Sequence, residues 1–305
     1  MKFSKIKFLF GFFIFSGFVS AQSNINAFLK PTDSLHKSRL KTAIISEAIV
    51  ASSVLIGLNQ LWYKDFPKSD FHFINDNAEW LQMDKIGHFY SCYHIGRLGA
   101  ESLSWSGANQ KSQLLYGATL GLAFMSVVEV FDGKSSQWGF SVGDMAANVL
   151  GTGFYVSQDL LWKEQRIVPK FSFHQTVYAA ARPNVLGNSF NEQIIKDYNG
   201  QTYWLSTNVH SFFKASKIPN FINLALGYGA EGMITANNSF INGIFLPEKS
   251  RMRQFYVSFD VDLTKIKTKS NTLKTIFSLF NTIKIPAPTI EINERGKTKF
   301  HYFYF

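Results

Sequence analysis

The chain has 305 residues, of which 46% are hydrophobic, 16% aromatic and only 17% charged, with a formal net charge of +10. Soluble domains ordinarily carry about a quarter charged residues, and a disordered chain combines low hydrophobicity with high charge. The composition therefore excludes a disordered chain, and the single cysteine excludes a disulfide-stapled scaffold. The length allows one large domain or two average ones.

The amino terminus has the pattern of a secretory signal peptide. Lys2, Lys5 and Lys7 precede an apolar run over residues 8–19, and Ala21 ends a small-residue cleavage site. The run is shorter than the roughly 20 residues that span a bilayer. We therefore expect residues 1–21 to be removed on export, the alternative being an anchor that stays attached. A cysteine for lipid attachment is not found near this site.

The next part of the chain, residues 22–168, is predicted to be a helical domain. Long apolar segments at 42–62, 84–103, 114–130 and 141–162 indicate a bundle of about four helices, and Ser141 is the expected N-cap of the last one. Frequent small residues are typical of helices that pack closely inside membranes. Charges on the second and fourth helices argue against contact with lipid. Membrane and water-soluble bundles both remain open.

After Pro169 the apolar pattern changes to a period of two. Residues 255–263 alternate apolar and polar side chains, and 203–209, 222–228, 289–293 and 298–304 are further candidate strands, with an amphipathic helix at 272–282. The sequence predicts that residues 169–305 form an antiparallel sheet of five or six strands with one wet face. The predicted fold class is therefore α+β, an apolar helical bundle followed by a sheet.

The chain ends on an aromatic strand that finishes with Phe305. A carboxyl-terminal Phe on such a strand is similar to the sorting signal of outer-membrane barrels. Single-chain barrels start at about 8 strands, more than this sequence contains. The other interpretation is a small antiparallel sheet that ends in an ordinary edge strand.

Polar residues within the apolar helices are the candidate functional site, because isolated charges are costly there. Helical spacing places Asp84 and His88 on one face and Asp144 and Asn148 on another. We expect one interior polar cluster. Its seven members are Asp84, Lys85, His88, Glu129, Asp132, Asp144 and Asn148.

Two kinds of role fit this cluster. A divalent metal could be held by the His88 nitrogen and carboxylate oxygens, or His88 could act as a general base. Alternatively, Lys85 or Arg97 pairs with Glu129 or Asp144 and fixes the register of the helices. The spacing matches no known zinc or hydrolase signature, so no cofactor is predicted beyond a divalent metal in the first case. Cys92 is expected to be a buried small hydrophobe.

Three motifs carry a resemblance to a known family. They are Asp84-Lys85-Ile86-Gly87-His88-Phe89, Glu129-x-x-Asp132-Gly133 and Gly139-Phe140-Ser141-x-x-Asp144-x-x-x-Asn148-x-x-Gly151. These motifs resemble the YfiM-like family of predicted periplasmic lipoproteins, a domain of unknown function in Gram-negative bacteria. A more distant similarity runs to VanZ-like membrane proteins. The resemblance covers residues 74–164. It implies an envelope protein in which the motif residues converge within a helical bundle, and it implies no particular reaction.

Taken together, these observations favour an exported protein of the periplasm or outer membrane. We expect a non-enzymatic, membrane-associated structural or binding factor, with membrane or envelope lipid as its partner and an envelope protein as a further possible partner. Export and the lack of a recognisable motif exclude nucleic acid. The alternative is a metal-assisted hydrolase or transferase that acts on a lipid or lipid-linked substrate, so enzymatic activity stays open.

Overall fold

The structure is a computed structural model that describes residues 24–305 apart from 65, 216, 238–239, 242–243 and 246–250. The predicted signal peptide lies outside the described residues. Helices and an antiparallel six-stranded sheet make up the described fold. The prediction of an α+β protein with a carboxyl-terminal sheet is confirmed at this level.

Four long helices lie in the amino-terminal half. They are α1 (Lys37–Leu58), α2 (Met83–Trp105), α3 (Leu120–Gly133) and α4 (Val142–Trp162). The stretch Asn59–Tyr63 continues α1 as a π-helical turn, and Gln110–Ser112 with the π-helical turn Gln113–Gly117 leads into α3. The predicted cap of α4 is confirmed, because the Ser141 side chain accepts a hydrogen bond from the backbone N–H of Asp144.

Helix α2 is the centre of the helical half, and α3 and α4 pack directly against it. Glycines allow this close approach: a Cβ at Gly121 would collide with the carbonyl oxygen of Cys92, and one at Gly151 with that of Phe89. Helix α1 makes fewer contacts with α2 and leaves much of its apolar surface exposed, including Ile49 and Ile56. The tight packing therefore involves three of the four predicted helices.

The two glycines of α4 provide a matched test of this packing. Gly151→Ala is expected to lower the free energy of unfolding by about 1–3 kcal/mol, because the added methyl group forces α4 away from α2. Gly153 has open space around its Cα, so Gly153→Ala is expected to raise it by about 0.5–1 kcal/mol through helix propensity. Urea unfolding of both variants checks the prediction, and equal effects would contradict it.

Within the described residues, two helical stretches, Lys37–Tyr63 and Gln110–Gly133, are long and apolar enough to cross a membrane when judged by length and composition. The core helix of a soluble protein can pass the same test. The first stretch is nearly uncovered by the rest of the chain, whereas about a third of the second is buried. The two stretches therefore differ more in how much of their surface is buried than in their hydropathy.

The large sheet has six strands: β3 (Ile167–Phe173), β4 (Gln201–Asn208), β5 (Ile222–Glu231), β8 (Met252–Val261), β9 (Ala287–Asn293) and β10 (Thr298–Tyr304). Their order in the sheet is β10-β9-β8-β5-β4-β3, with every pair antiparallel. Helix α5 (Asn271–Phe280) precedes β9. Two small sheets pair β1 (Phe73–Ile74) with β2 (Phe140–Ser141) and β6 (Phe240–Ile241) with β7 (Ile244–Phe245).

Short helical segments fill the connections. The α-helical ones are Tyr178–Ala181, Pro183–Leu186, Phe190–Lys196 and Val209–Phe212, and the 3-10 ones are Glu79–Gln82 and Leu263–Lys265. The sequence pattern does not predict β3, because Pro169 lies within it. A proline cannot donate to a ladder, and β3 is the edge strand where it is tolerated.

The two faces of the sheet are the reverse of the expected ones. On β8, the polar residues Ser258 and Asp260 are buried while the apolar residues Val257 and Phe259 are exposed. The prediction that the polar face is wet is therefore wrong. The sheet curls around its polar face, so that Tyr304 of the last strand reaches β4 and its hydroxyl lies 3.1 Å from that of Thr202.

Candidate functional site

The seven polar residues predicted to cluster lie on three packed helices. Helix α2 supplies Asp84, Lys85 and His88, α3 supplies Glu129 and Asp132, and α4 supplies Asp144 and Asn148. Glycines keep the backbones of these helices close, so side chains on facing surfaces can reach one another. Hydrogen bonds and close polar contacts connect six of the seven side chains between α2, α3 and α4, and Asp132 lies near enough for its charge to interact with those of Asp84 and His88. We call these seven residues the polar cluster.

Lys85 is the positive centre of the polar cluster. Its Nζ lies 2.8 Å from Oδ1 of Asp76 and 3.1 Å from Oδ1 of Asp144. Asp144 is held from the other side, since its backbone N–H donates to the hydroxyl of Ser141. That hydroxyl donates to Asp76 at 2.6 Å. A closed ring of polar contacts thus joins the start of α4 to the start of α2.

His88 lies in the buried part of the polar cluster and is oriented by two kinds of contact. Its Nδ1 is 3.1 Å from Oδ1 of Asn148 and 3.6 Å from Oε1 of Glu129. Its Nε2 lies 3.9 Å from Oδ1 of Asp84. A hydrogen on Nδ1 that donates to Asn148 leaves the Nε2 lone pair free, which is how outer contacts commonly orient a ligating histidine.

The two acidic residues of α3 have different partners. Glu129 is 1% exposed, and its Oε2 accepts a hydrogen bond from the backbone N–H of Ser141 at 3.0 Å. Asp132 accepts a hydrogen bond from the hydroxyl of Tyr63 at 2.8 Å. Neither carboxylate forms a hydrogen bond with Lys85 among the described contacts, so the lysine compensates only part of the negative charge.

Four residues of the site are missing from the sequence-based prediction. They are Tyr63, Asp76, Tyr198, and Ser141 in its role as a hydrogen-bond donor to Asp76. Tyr198 donates to Asp84 at 2.5 Å from a loop before β4, more than a hundred residues away. The chain runs from Asp76 to the start of α2 through a turn in which Trp80, Leu81 and Gln82 all have positive φ. No helical spacing connects these positions, although the run Asp76-Asn77 was a visible loop signal.

The excess of carboxylates changes how they ionise. Burial raises the pKa of Glu129 to about 8 and that of Asp132 to about 7. Burial and the charge of Asp84 together raise the pKa of Asp144 to about 7. Burial alone would lower the pKa of His88, but the charges of Asp84, Asp144 and Glu129 raise it above its usual value. Near neutral pH the cluster therefore retains protons that free carboxyl groups would have released.

Three side chains have the geometry to share a metal ion. One ligand atom each from Asp84, His88 and Asp144 lie within 4.8 Å of one another. Ligand atoms around a tetrahedral ion with bonds of about 2.1 Å are separated by about 3.4 Å, so small side-chain movements would bring all three onto one ion. Asp84 is the open side of the group, since its side chain is 31% exposed while that of Asp144 is 4% exposed.

Of the other residues considered from the sequence, Arg97 lies apart from the polar cluster, whereas Cys92 borders it, because its Sγ donates to Oδ1 of Asn148 at 3.3 Å. Arg97 pairs with Glu101 at 2.7 Å instead of Glu129 or Asp144. Cys92 is fully buried, as expected, and its pKa is raised by burial to about 12. A thiol in that state is not a nucleophile near neutral pH.

Comparison with known proteins gives one family match. Residues 70–158 match the model of a family described as "Predicted periplasmic lipoprotein (DUF2279)". No curated protein and no solved structure matches the chain. The matched segment contains Asp76 and all seven residues predicted for the polar cluster, and the family description agrees with the predicted localisation. This segment is thus similar to a family of predicted periplasmic lipoproteins.

Proposed function

We propose that this protein is a membrane-associated envelope factor that binds a divalent cation in the polar cluster. The observation that carries the proposal is the charge imbalance of the cluster. Five carboxylates share a single lysine and a single histidine in a mostly buried space; they are Asp76, Asp84, Glu129, Asp132 and Asp144.

Buried carboxylates need compensation, because an unpaired charge is costly in a low-dielectric interior. Protons can supply it, which is the state that the raised pKa values of Glu129 and Asp144 describe. A divalent cation can supply it as well, by replacing those protons. The combination of imidazole nitrogen and carboxylate oxygen suits Zn²⁺ or Mn²⁺. In this role the protein catalyses no reaction, and the cation would join α2 to α4 through Asp84, His88 and Asp144.

A second candidate is a metal-assisted hydrolase or transferase acting on a lipid or lipid-linked substrate. The exposure of Asp84 favours it, because a catalytic ion needs one side open to substrate. Two tyrosines beside the cluster also offer polar groups: the hydroxyl of Tyr63 donates to Asp132, and that of Tyr198 donates to Asp84. Cation-dependent hydrolysis of a lipid-phosphate or lipid-ester probe, lost in Asp84→Asn, would favour this candidate over the non-enzymatic one.

Metal content tests the proposal. The wild-type protein, extracted from membranes in detergent, is incubated with Zn²⁺ or Mn²⁺, desalted and measured by mass spectrometry. We expect about one ion per chain, with a marked loss in Asp84→Asn, which changes the most exposed candidate ligand. Asp70→Asn is the matched control, since Asp70 is exposed. Equal metal content in all three proteins, or none in the wild type, would refute cation binding at the cluster.

A further inference from the structure

The six-stranded sheet is turned inside out relative to a sheet in a water-soluble protein. Part of its apolar face packs against α2 and the turn before it, through Phe171, Tyr203 and Tyr228. The rest of that face is not covered by the described residues, and six of its side chains are between 40% and 62% exposed: Leu205, Leu226, Phe255, Val257, Phe259 and Ile290. Together these six define what we call the outer face. The cross-strand partners Leu205↔Leu226 and Leu226↔Val257 show that it is continuous from β4 to β8.

The opposite face of the sheet is a buried polar interior. Lys170 and Asp260 are both fully buried there and lie 2.7 Å apart. Ser206 donates to Asp260 at 2.6 Å, and Asn223 donates to Ser206 at 2.9 Å. Buried polar side chains require hydrogen-bond or ion-pair partners. The sheet supplies these partners only when its polar face is turned inward. Because a slip of one residue would exchange the faces, the polar interior fixes the apolar side chains outward.

Water is a poor environment for the outer face. Each fully exposed large apolar side chain forgoes the stabilisation that burial gives, and a contiguous apolar surface of this kind marks an interaction site. The curl that brings Tyr304 to Thr202 and to the ring of Trp204 makes the polar face concave. The apolar face is therefore convex and spreads over several strands, which suits a fluid hydrocarbon better than one rigid partner.

One end of the sheet carries the residues expected at a membrane surface. Asn208↔Asn223 and Ile222↔Val261 lie at that end. Exposed aromatic and basic residues follow these strand ends in the chain, namely Phe213, Lys214, Lys217 and Lys267. Aromatic rings favour the interface between hydrocarbon and water, and lysines are complementary to anionic headgroups.

We infer that the outer face of the sheet contacts the hydrocarbon of a lipid membrane, with the aromatic and basic end at its surface. This inference rests on the membrane association proposed above and assigns it to a particular surface. Alternating strands that are apolar outside and polar inside are the pattern of sheets in bilayers. The same assignment explains why a charged pair such as Lys170 and Asp260 lies inside the sheet.

Fluorescent probes at single positions test the inference. The full chain carries a thiol-linked environment-sensitive dye at Leu226→Cys, Val257→Cys or Ile290→Cys, and at Asn191→Cys as a control in an exposed short helix. The native Cys92 is buried, which protects it from labelling. Vesicles of phosphatidylethanolamine with a minor share of phosphatidylglycerol contain lipids brominated on the acyl chains. We expect a blue shift and quenching at the three sheet positions and neither at 191.

A charge on the outer face provides a second readout. Val257→Lys is expected to lower the ratio of vesicle-bound to free protein at least about tenfold, whereas Asn191→Lys leaves it unchanged. Sheet probes that stay in water while the protein binds vesicles would overturn this inference and leave membrane association intact. Failure of the wild type to bind vesicles would overturn both. Metal content, measured separately, reports on the polar cluster in either case.

Discussion

The cation-free protein is expected to lose stability as the pH rises from about 5 to about 8. The pKa of Glu129 rises from 4.5 to about 8 on folding, and that of Asp132 from 3.8 to about 7. At pH values between the unfolded and the folded pKa of each group, the folded state holds more protons than the unfolded state. The free energy of unfolding therefore falls with increasing pH. His88 acts in the same direction, because a histidine with a raised pKa loses its stabilising contribution as the pH rises.

The fall is on the order of a few kcal/mol, since one pKa unit corresponds to about 1.4 kcal/mol. Urea unfolding in detergent with a chelator, repeated at several pH values, measures it. Glu129→Gln replaces the ionisable group by a neutral one of the same shape and is expected to flatten the dependence. Glu294→Gln, at an exposed hairpin, is the control and should leave it steep. A wild-type protein whose stability rises over this range would contradict the account.

Replacement of the positive centre is expected to have the largest effect of any single change in the polar cluster. Lys85→Met keeps the length of the side chain but leaves Asp76 and Asp144 without their ammonium partner. The free energy of unfolding is expected to fall by about 3 kcal/mol near neutral pH, because removal of one partner leaves buried charges uncompensated. Thermal or urea unfolding measures the loss, and the exposed Lys134→Met should show almost none.

Addition of a divalent cation distinguishes two explanations for the loss of stability in Lys85→Met. If the cluster binds a cation, addition of Zn²⁺ or Mn²⁺ to Lys85→Met is expected to restore part of the stability, because the ion then supplies charge that the lysine gave. If Lys85 only links α2 to α4, the loss persists with or without the ion. Recovery by NaCl at equal ionic strength would point to general screening and would contradict a specific site.

The membership of the polar cluster was largely accessible from sequence. Asp84 and His88 are four residues apart, as are Asp144 and Asn148, and helical periodicity alone places each pair on one face. Helix packing then joins the faces, which the density of small residues such as Gly121 and Gly151 already indicated. Contributions from loops were not accessible, because Asp76 and Tyr198 reach the cluster through turns that carry no periodic signal.

The sheet shows a different limit of sequence-based prediction. Alternation along residues 255–263 predicts a strand that overlaps β8 (Met252–Val261) and assigns its residues to two faces. Alternation does not state which face turns inward, and the usual expectation of a wet polar face is wrong here. The side chains of Ser258 and Asp260 face the interior because they have partners there, such as Lys170, which lies in β3 some ninety residues earlier. That strand also escaped prediction because of its proline.

Electron spin echo spectroscopy of bound Mn²⁺ is the sharpest test of cation binding in the polar cluster, because it detects nitrogen ligands of the ion itself. We expect a bound ion with modulation from one imidazole nitrogen, assigned to His88 and lost in His88→Gln. The matched control is His72→Gln, which changes a partly exposed histidine outside the polar cluster. Bound Mn²⁺ without a nitrogen ligand, or a nitrogen signal that survives in His88→Gln, would contradict the account.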